Sequence, residues 1–326
     1  MVAVKMKLAL TALLLLTFGD VGLAQKFPDR PVRIIVPNPA GGSNDAAARI
    51  AGQGLQDQVW PSGVVIENRA GGGGNVGAHA AATSIPDGYT LLLSSPGPIV
   101  INPFLYKKLP FDPQKEFAPI ALVASVPIVL MVNPNVDARS VQELTALIRK
   151  NNGKLVYASS GVGSTHHLAA ELFQKMANVK LQHVPYRGAA PAMNDLIAGH
   201  VPILFDNITT VIPQVRSGNV RALAVASAER VSWLPDVPTF AEAGLPEFEA
   251  ESWFGLFAQR EAPVDALAKT EADVKKVLTT AAVAQRLEES GAIPGHKFGP
   301  EFVAFLQKER DKWSDVIKSA GATAPE

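Results

Sequence analysis

Short apolar segments alternate with helical segments along most of the chain, and this alternation constrains the fold more than any other feature. Segments such as PVRIIVP (31–37) and VPILFDN (201–207) carry apolar residues at consecutive positions rather than at every second position. Strands of this kind are buried on both faces, as is typical of parallel sheets covered by helices on both sides. The sequence therefore predicts an α/β fold.

The alternation falls into two blocks of similar size, which we interpret as two doubly wound lobes with an interlobe cleft. Residues 25–126 plus 250–326 are expected to form lobe 1, and residues 127–249 lobe 2. The segment FEAESWFGLFAQR (248–260) is expected to be an extended connection between them. In such sheets ligands bind beyond the carboxyl ends of the strands, so the turns that follow the strands should line the cleft.

The first 24 residues have the organisation of a signal peptide. Lys5 and Lys7 precede an apolar segment (8–19) that is too short to span a membrane, and small residues lead up to a cleavage site after Ala24. The chain contains no cysteine, which excludes disulfides, a thiol metal site, a cysteine nucleophile and a lipid anchor at the cleavage site. We expect an exported protein located in the periplasm.

The charge balance excludes one class of partner. The 30 basic and 30 acidic residues give a formal net charge of zero, so a nucleic-acid-binding face is not expected. The same balance gives no electrostatic reason for binding to an anionic membrane.

Two motifs suggest cofactors or metals but lack the residues that would complete them. Gly72, Gly74 and Gly77 fit the spacing of a dinucleotide-binding loop, yet no acidic residue closes the next predicted strand. His167 and Glu171 share a helix face, but the sequence supplies no further metal ligands at a recognisable spacing. We therefore predict neither a cofactor nor a metal site.

Four turns follow the carboxyl ends of predicted strands and contain neither lysine nor arginine, and three of them are rich in glycine or serine. Glycine allows a ligand to approach the backbone, and the N-terminus of a helix offers unpaired N–H groups and a positive dipole end to an anion. The pattern favours a bound carboxylate, although the same residues could serve only as helix caps. The candidate ligand-binding residues are Ala40, Gly41, Gly42, Ser43, Asn44 and Asp45 in the first turn, Ser94 and Ser95 in the second, Ser160, Gly163, Ser164 and Thr165 in the third, and Asp206 and Asn207 in the fourth.

Many segments, in order along nearly all of the mature chain, resemble the solute receptors of tripartite tricarboxylate transporters, the Bug family. They include RPVRIIVPNPAGGSNDAAAR, VIENRAGGGGNVGA, INPFLYKKLPFDPQKEFAPIALVA, YASSGVGSTHHLAAELF and HVPYRGAAPAMNDLIAGHV. The resemblance implies a fold like that of type II periplasmic binding proteins, whose two lobes close on a small carboxylate. It also implies membrane permease subunits as partners and no catalysis. We expect a monomer.

The resemblance does not identify the ligand, because the segment SSPGPIV precedes INPFLY where other members vary widely. An organic acid, an acidic amino acid and an aromatic carboxylate all remain open. Two other functions are retained as alternatives. One is a hydrolase or lyase that uses Ser164 with His166 or His167, and the other is a ligand sensor for a signalling membrane protein.

Overall fold

The computed structural model describes residues 27–248, 250–321 and 323. The predicted signal peptide, residues 1–24, lies outside the described residues. Within the described part of the chain, no helix is long and apolar enough to cross a membrane.

In the part of the chain that the structure describes, ten strands form one strongly curved sheet, and their positions match most of the predicted apolar segments. The order across the sheet is β2-β1-β3-β9-β4-β7-β5-β6, with β8 and β10 both paired to β4. The strands are β1 (Val32–Val36), β2 (Val64–Asn68), β3 (Thr90–Ser94), β4 (Phe117–Val132), β5 (Val156–Ser159), β6 (Gln182–Pro185), β7 (Ile203–Asn207), β8 (Arg221–Val225), β9 (Glu251–Gln259) and β10 (Ile293–Pro294).

The parallel pairing expected from the sequence is correct only within each block. Strand β1 pairs in parallel with β2 and β3, and β5 pairs in parallel with β6 and β7. The two parallel groups are joined by antiparallel strands, since β9 pairs with β3 and β4, and β4 pairs with β7 and β8. The α/β fold class is therefore confirmed, but the sheet is mixed.

Strand β9 corrects one prediction. The segment expected to be an extended connection is instead a buried central strand of the sheet. Its partner β4 is 16 residues long and begins ten residues before the apolar segment PIVLMVN (127–133), which the sequence pattern alone predicts as a strand. The register between β4 and β9 shifts between Pro119 and Ala121 and again between Leu122 and Ala124, so Pro119 is accommodated at an irregularity of the strand.

Strand β4 passes through both parts of the sheet. Its first half, up to Pro127, pairs with β9, and its second half, from Ile128, pairs with β7 and β8. Alternate side chains of a strand point to opposite faces, and Leu130 and Met131 accordingly belong to the two different apolar clusters that cover the sheet. Each cluster contains residues from both blocks of the chain, so the core is continuous across the centre of the sheet.

Helices cover the faces of the sheet, and most of them begin directly after a strand. Two short irregular turns, a 3₁₀ turn at Gly72–Gly74 and a π turn at Gly97–Ile101, precede the second and third helices. The helices are α1 (Ser43–Gln58), α2 (Asn75–Ala82), α3 (Asn102–Leu105), α4 (Pro113–Glu116), α5 (Val141–Lys150), α6 (Thr165–Ala177), α7 (Ala189–Ala198), α8 (Ile208–Arg216), α9 (Val264–Leu278), α10 (Ala281–Glu289) and α11 (Gly299–Ala320).

The last helix, α11, contacts both parts of the chain that were predicted to form separate lobes. The indole N–H groups of Trp253 and Trp313 both donate to Oε2 of Glu309, at 2.8 and 3.0 Å, which fixes α11 to β9. Further along α11, Nζ of Lys175 on α6 donates to Oγ of Ser319 at 3.1 Å. Helix α11 therefore packs beside the second predicted lobe as well as the first.

Candidate anion-binding site

The first candidate turn leads from β1 into α1, and no side chain caps this helix. Gly42 is the N-cap residue, and Ala40 and Gly41 before it are exposed. Oδ2 of Asp45 accepts hydrogen bonds from the Gly41 N–H and from Nε of Arg49, both at 2.9 Å. Burial would raise the pKa of the Asp45 carboxyl, but these hydrogen bonds outweigh it and hold the pKa below its usual value.

Asn44 and Ser43, in the same turn, point to different partners. Nδ2 of Asn44 donates to Oδ1 of Asn38 at 2.6 Å, so this amide stays within its own turn. Oγ of Ser43 lies 2.5 Å from Oγ1 of Thr209 and accepts a hydrogen bond from Nδ2 of Asn207 at 3.2 Å. Ser43 is thus the residue of the first turn that reaches the fourth turn, more than 160 positions away in the sequence.

The third turn leads from β5 into α6, and Ser164 caps this helix. Oγ of Ser164 accepts from the His167 N–H at 3.2 Å and donates to the Gly161 carbonyl at 2.7 Å. A hydroxyl has a single hydrogen, so this group has none left for a ligand. Ser164 is a helix cap in this structure. Thr165 beside it is buried, and Ser160 is half-buried.

The second and third turns touch through glycines. A Cβ atom at Gly97 would lie 3.3 Å from the Gly73 carbonyl oxygen and 3.4 Å from the Gly163 carbonyl oxygen. A Cβ atom at Gly163 would lie only 2.6 Å from Oδ1 of Asn102. We call Gly73, Gly97 and Gly163 the glycine seam. Only residues without a side chain allow the three backbones to approach this closely.

Asn102 holds one side of the glycine seam in place. Its Nδ2 donates to the Gly73 carbonyl at 3.1 Å and to Oδ1 of Asn75 at 2.7 Å, and its side chain is fully buried. Ser94, also fully buried, donates its hydroxyl to the Ser95 carbonyl at 3.0 Å. The hydroxyl hydrogen of Ser94 is therefore used within its own turn.

The fourth turn, at the end of β7, joins the third through a histidine. Nε2 of His166 lies 3.1 Å from Oδ1 of Asn207 and 3.4 Å from Oδ1 of Asp206, which also accepts from the Asn207 N–H at 2.7 Å. Asp206 is completely buried, and this burial raises the pKa of its carboxyl although His166 and the N–H group oppose the shift. These contacts hold the side chain of Asp206 within this network.

The first, third and fourth turns lie at the N-termini of α1, α6 and α8, and the glycine loop before α2 contacts the second turn. Contacts of Ser43 join α1 to α8, His166 joins α6 to α8, and the glycine seam joins the turn before α2 to the turn before α6. Three of these helices, with N-caps Gly42, Gly74 and Asn207, have no side-chain cap. Several positive dipole ends suit a small anion, since the four predicted turns contain neither lysine nor arginine and the nearby Arg49 is paired with Asp45.

Sequence reasoning identified the turns but missed two of the residues that connect them. Thr209 lies immediately after the fourth turn, and its hydroxyl near the start of a predicted helix was the signal that could have identified it. Asn102 is a polar residue within the apolar segment PIVINPFL, a position that usually signals a buried hydrogen-bonding role. The fourteen candidate ligand contacts remain predictions.

The residues proposed for catalysis are not arranged as a nucleophile and base. Ser164 is occupied as a cap, and His166 points its Nε2 to Asn207 and Asp206. A different serine and histidine, Ser159 and His183, lie 2.7 Å apart, but Ser159 is completely buried and out of reach of a substrate. Among the described residues, no group of three histidine or acidic side chains is placed to hold a metal ion.

The chain is similar in sequence to receptors of a transporter family. A model of the tripartite tricarboxylate transporter family receptor matches residues 47–322. The protein BugT of Bordetella pertussis is 36% identical over 300 residues, which cover 92% of this chain and 92% of BugT.

Two solved structures with bound acids are similar over almost their full length. The R. palustris protein Rpa4515 with adipate is 35% identical with a TM-score of 0.86, covering 91% of this chain and 99% of Rpa4515. MatC from Rhodopseudomonas palustris with bound malate is 32% identical with a TM-score of 0.82, covering 89% of this chain and 100% of MatC.

Proposed function

The chain belongs to the tripartite tricarboxylate transporter receptor family, and from this premise we propose that it is a periplasmic receptor for a small carboxylate. In this proposal the acid is captured between two lobes and delivered to the membrane permease subunits of the transporter. The adipate and malate in the similar structures of Rpa4515 and MatC support a small organic acid as ligand.

The observation that carries the proposal is the close approach of the N-termini of α1, α6 and α8, whose preceding turns contain neither lysine nor arginine. Each hydrogen bond to a charged group contributes about 1.5–3 kcal/mol net. The charge interaction with a helix end adds about 0.3–1 kcal/mol. Three or four such contacts, less the cost of ordering, reach the roughly −8 kcal/mol of micromolar binding without a cationic side chain.

We propose that the acid is enclosed by a hinge motion of the two lobes, residues 25–126 plus 250–326 and residues 127–249. The contacts of Ser43 with Thr209 and Asn207 cross this boundary, as does the glycine seam. The hinge would lie where β4 and β9 pass between the lobes, near the pair Pro127 and Glu251. Small-angle scattering should then show a smaller radius of gyration with saturating acid, and an unchanged radius would contradict the motion.

The test of the proposed function is the identification of the bound acid. Mass spectrometry of material released from denatured, freshly purified protein should detect a small carboxylate. Calorimetric titration with adipate, malate and a panel of other mono- and dicarboxylates should give micromolar or tighter binding for at least one acid. Hexanediol, which keeps the chain of adipate but lacks its carboxylates, should not bind.

A pair of variants refines this test. Ser43→Ala removes a hydroxyl from the proposed site, and Ser217→Ala removes one at an exposed position after α8. Affinity should fall in the first variant and stay unchanged in the second. Failure of every carboxylate to bind, or conversion of a bound acid into a product, would refute the receptor proposal.

Delivery to permease subunits has its own experiment. In a strain that lacks this gene, uptake of the acid identified above should be lost and should be restored by the wild-type chain. Normal uptake without the protein, together with a lost transcriptional response to the acid, would instead favour the ligand sensor.

A further inference from the structure

A stack of three rings lies directly beneath the third turn. The imidazoles of His167 and His183 are 4.2 Å apart between centroids and inclined by only 12°, and Tyr157 stacks on the other face of His183 at 4.9 Å and 14°. The rings come from α6, β6 and β5. None of the three was among the predicted ligand contacts. His167 and Tyr157 are buried.

The edges of the two imidazoles are bound to the turn itself. The Gly163 N–H donates to Nδ1 of His167 at 3.4 Å. Nε2 of His183 lies 2.7 Å from Oγ of Ser159, and this hydroxyl oxygen accepts from the Gly161 N–H at 3.1 Å. Both glycines of the turn are therefore tied to the stack, one directly and one through Ser159.

The far side of the stack is anchored as well. Oη of Tyr157 donates to Oε1 of Glu171 at 2.7 Å, and Nε2 of Gln174 donates to the same oxygen at 2.9 Å. Oε1 of Gln174 in turn accepts from the Leu181 N–H at 2.7 Å, just before β6. The stack is thus connected to α6 and to the start of β6, and a rotation of the rings would break these bonds.

We propose that His167 and His183 are positioning residues, which fix the third turn in the conformation that receives the ligand without contacting the ligand themselves. The inference rests on the proposed function only in naming what the turn receives. The third turn requires stabilising contacts because Gly161 and Gly163 have φ values of +129° and +78°. Glycine adopts these values without strain, but it also adopts many other conformations. Ordering such a residue costs conformational entropy, and a turn ordered before binding avoids this cost during binding.

An imidazole fulfils this role better than a phenyl ring because it offers a hydrogen-bond acceptor while remaining flat. The bond from Gly163 requires Nδ1 of His167 to be unprotonated. Burial lowers the pKa of His167 to about 3, with a smaller effect from His183, and burial lowers the pKa of His183 to about 4. Both rings are therefore neutral at neutral pH, and the acceptor is available.

The first experiment uses the ligand-free protein. The variant His167→Phe keeps a flat ring but removes the acceptor, whereas His167→Asn places an amide oxygen close to the position of Nδ1 without a ring. Amide hydrogen exchange at Gly163 should become at least about tenfold faster in His167→Phe, and His167→Asn should restore part of the protection. The Leu168 amide, which donates to the Ser164 carbonyl inside α6, is the internal reference and should not change.

The second experiment measures affinity for adipate and malate. Both His167→Phe and His183→Phe should weaken binding by about tenfold, the equivalent of ordering roughly one residue. The control is His200→Phe, which alters an exposed histidine just after α7. The ring of His200 contacts Asp195 within that helix. This variant should bind as the wild type does.

The outcomes separate this inference from the proposed function. Unchanged exchange at Gly161 and Gly163 in both phenylalanine variants, or wild-type affinity in both, would overturn the positioning role. Faster exchange in a protein that binds no carboxylate would support the positioning role and refute the receptor proposal. If the phenylalanine variants do not fold, nitrogen-15 spectra of the wild type decide the question, because a protonated Nδ1 at His167 at neutral pH would overturn the inference.

Discussion

The first and third turns have similar sequences, PAGGSND and SSGVGST, but they are built in opposite ways. In the first turn the N-cap is Gly42, no side chain caps α1, and Ser43 turns its hydroxyl outward to another element. In the third turn Ser164 caps α6 and also closes on Gly161, and a ring stack supports the turn from below.

This difference indicates a division of roles between the two turns. The N–H groups at the start of α1 and the hydroxyl of Ser43 are the groups in the first turn that could meet an anion. In the third turn the Ser164 hydroxyl and the N–H groups of Gly161 and Gly163 are bonded within the turn or to the ring stack below it, so this turn is held rigid. Although the two turns have similar composition, the first turn hydrogen-bonds to another part of the chain through Ser43, whereas the third turn is held rigid by its own contacts.

The largest expected effect comes from adding one methyl group to each turn. Gly41 and Gly163 both have positive φ, at +83° and +78°, so Gly41→Ala and Gly163→Ala should each cost about 1–2 kcal/mol in backbone strain. A Cβ atom at Gly41 meets nothing within 4 Å, whereas at Gly163 it meets Asn102 at 2.6 Å and Leu105 at 2.9 Å. Calorimetric titration should show a loss of more than ~100-fold for Gly163→Ala and less than ~10-fold for Gly41→Ala.

A third glycine provides the control for strain alone. Gly218, after α8, has a φ of +70° and open space at its Cβ position. Gly218→Ala should lower the thermal midpoint as the other two do while leaving affinity intact. Equal affinity losses at Gly41 and Gly163 would mean that the glycine seam does not separate the two turns.

Mild acid should affect the third turn before the first. The pKa values of His167 and His183, about 3 and about 4, lie below the ordinary value of ~6.5, so the unfolded chain takes up protons that the folded chain does not. Stability therefore decreases as the pH falls from about 6.5 toward the folded pKa values. At pH 5 this amounts to about 2 kcal/mol for His167, and less for the more exposed His183.

The two aspartates of the site change the stability of the protein over different pH ranges from the histidines. Asp45, whose pKa is lowered, contributes stability that is present above ~3.9 and is lost only as the pH falls below that value. The pKa of Asp206 is raised by burial, so the effect has the opposite sign: protonation of this carboxyl on acidification stabilises the folded protein. Amide exchange corrected for its intrinsic rate should show faster opening at Gly163 than at Gly41 between pH 7 and pH 5, and the reverse order would contradict the comparison.

Removing each serine should separate stability from affinity. Ser164→Ala deletes a helix cap and should destabilise the protein by about 1 kcal/mol, with only a modest change in affinity. Ser43→Ala removes no helix cap from α1, so stability should change little. Affinity should fall by about fivefold to tenfold. Denaturant unfolding measures stability and calorimetric titration measures affinity. If Ser164→Ala kept full stability but lost binding, the Ser164 hydroxyl would have to contact the ligand directly.

The sequence was a good guide to local structure and a poor guide to what pairs with what. The strand at Val32–Val36 and the helix at Thr165–Ala177 follow from apolar pattern and turn residues nearby in the chain. The segment 248–260 was predicted to be an extended connection between the lobes, but it contains the buried strand Glu251–Gln259. Its place between β3 and β4 depends on pairing with residues more than 120 positions away, which no local pattern encodes.

The site follows the same rule. That the turns lie together follows from the general position of ligand sites at strand ends. The bond between Ser43 and Thr209 and the stack of His167 on His183 could not be predicted, because each requires the register and twist of the folded sheet. A serine before a helix offers the same hydroxyl to an anion and to its own backbone, so the sequence alone could not show that Ser164 caps α6.

The smallest expected effect concerns Arg49, the cation nearest to the first turn. Its Nε pairs with Asp45 at 2.9 Å, and its side chain is 54% exposed. Exposed pairs contribute about 0.2–1 kcal/mol, so Arg49→Gln should change stability by less than about 1 kcal/mol. Affinity should change by less than about threefold, because Asp45 already neutralises this arginine and the Gly41 N–H continues to hold Asp45. An arginine that bound the acid directly would cost at least tenfold when removed, since it would donate charged hydrogen bonds worth about 1.5–3 kcal/mol. A loss of that size in titrations of Arg49→Gln with adipate or malate would mean that the first turn binds its anion through a side-chain cation, and that uncapped helix N-termini alone do not account for the site.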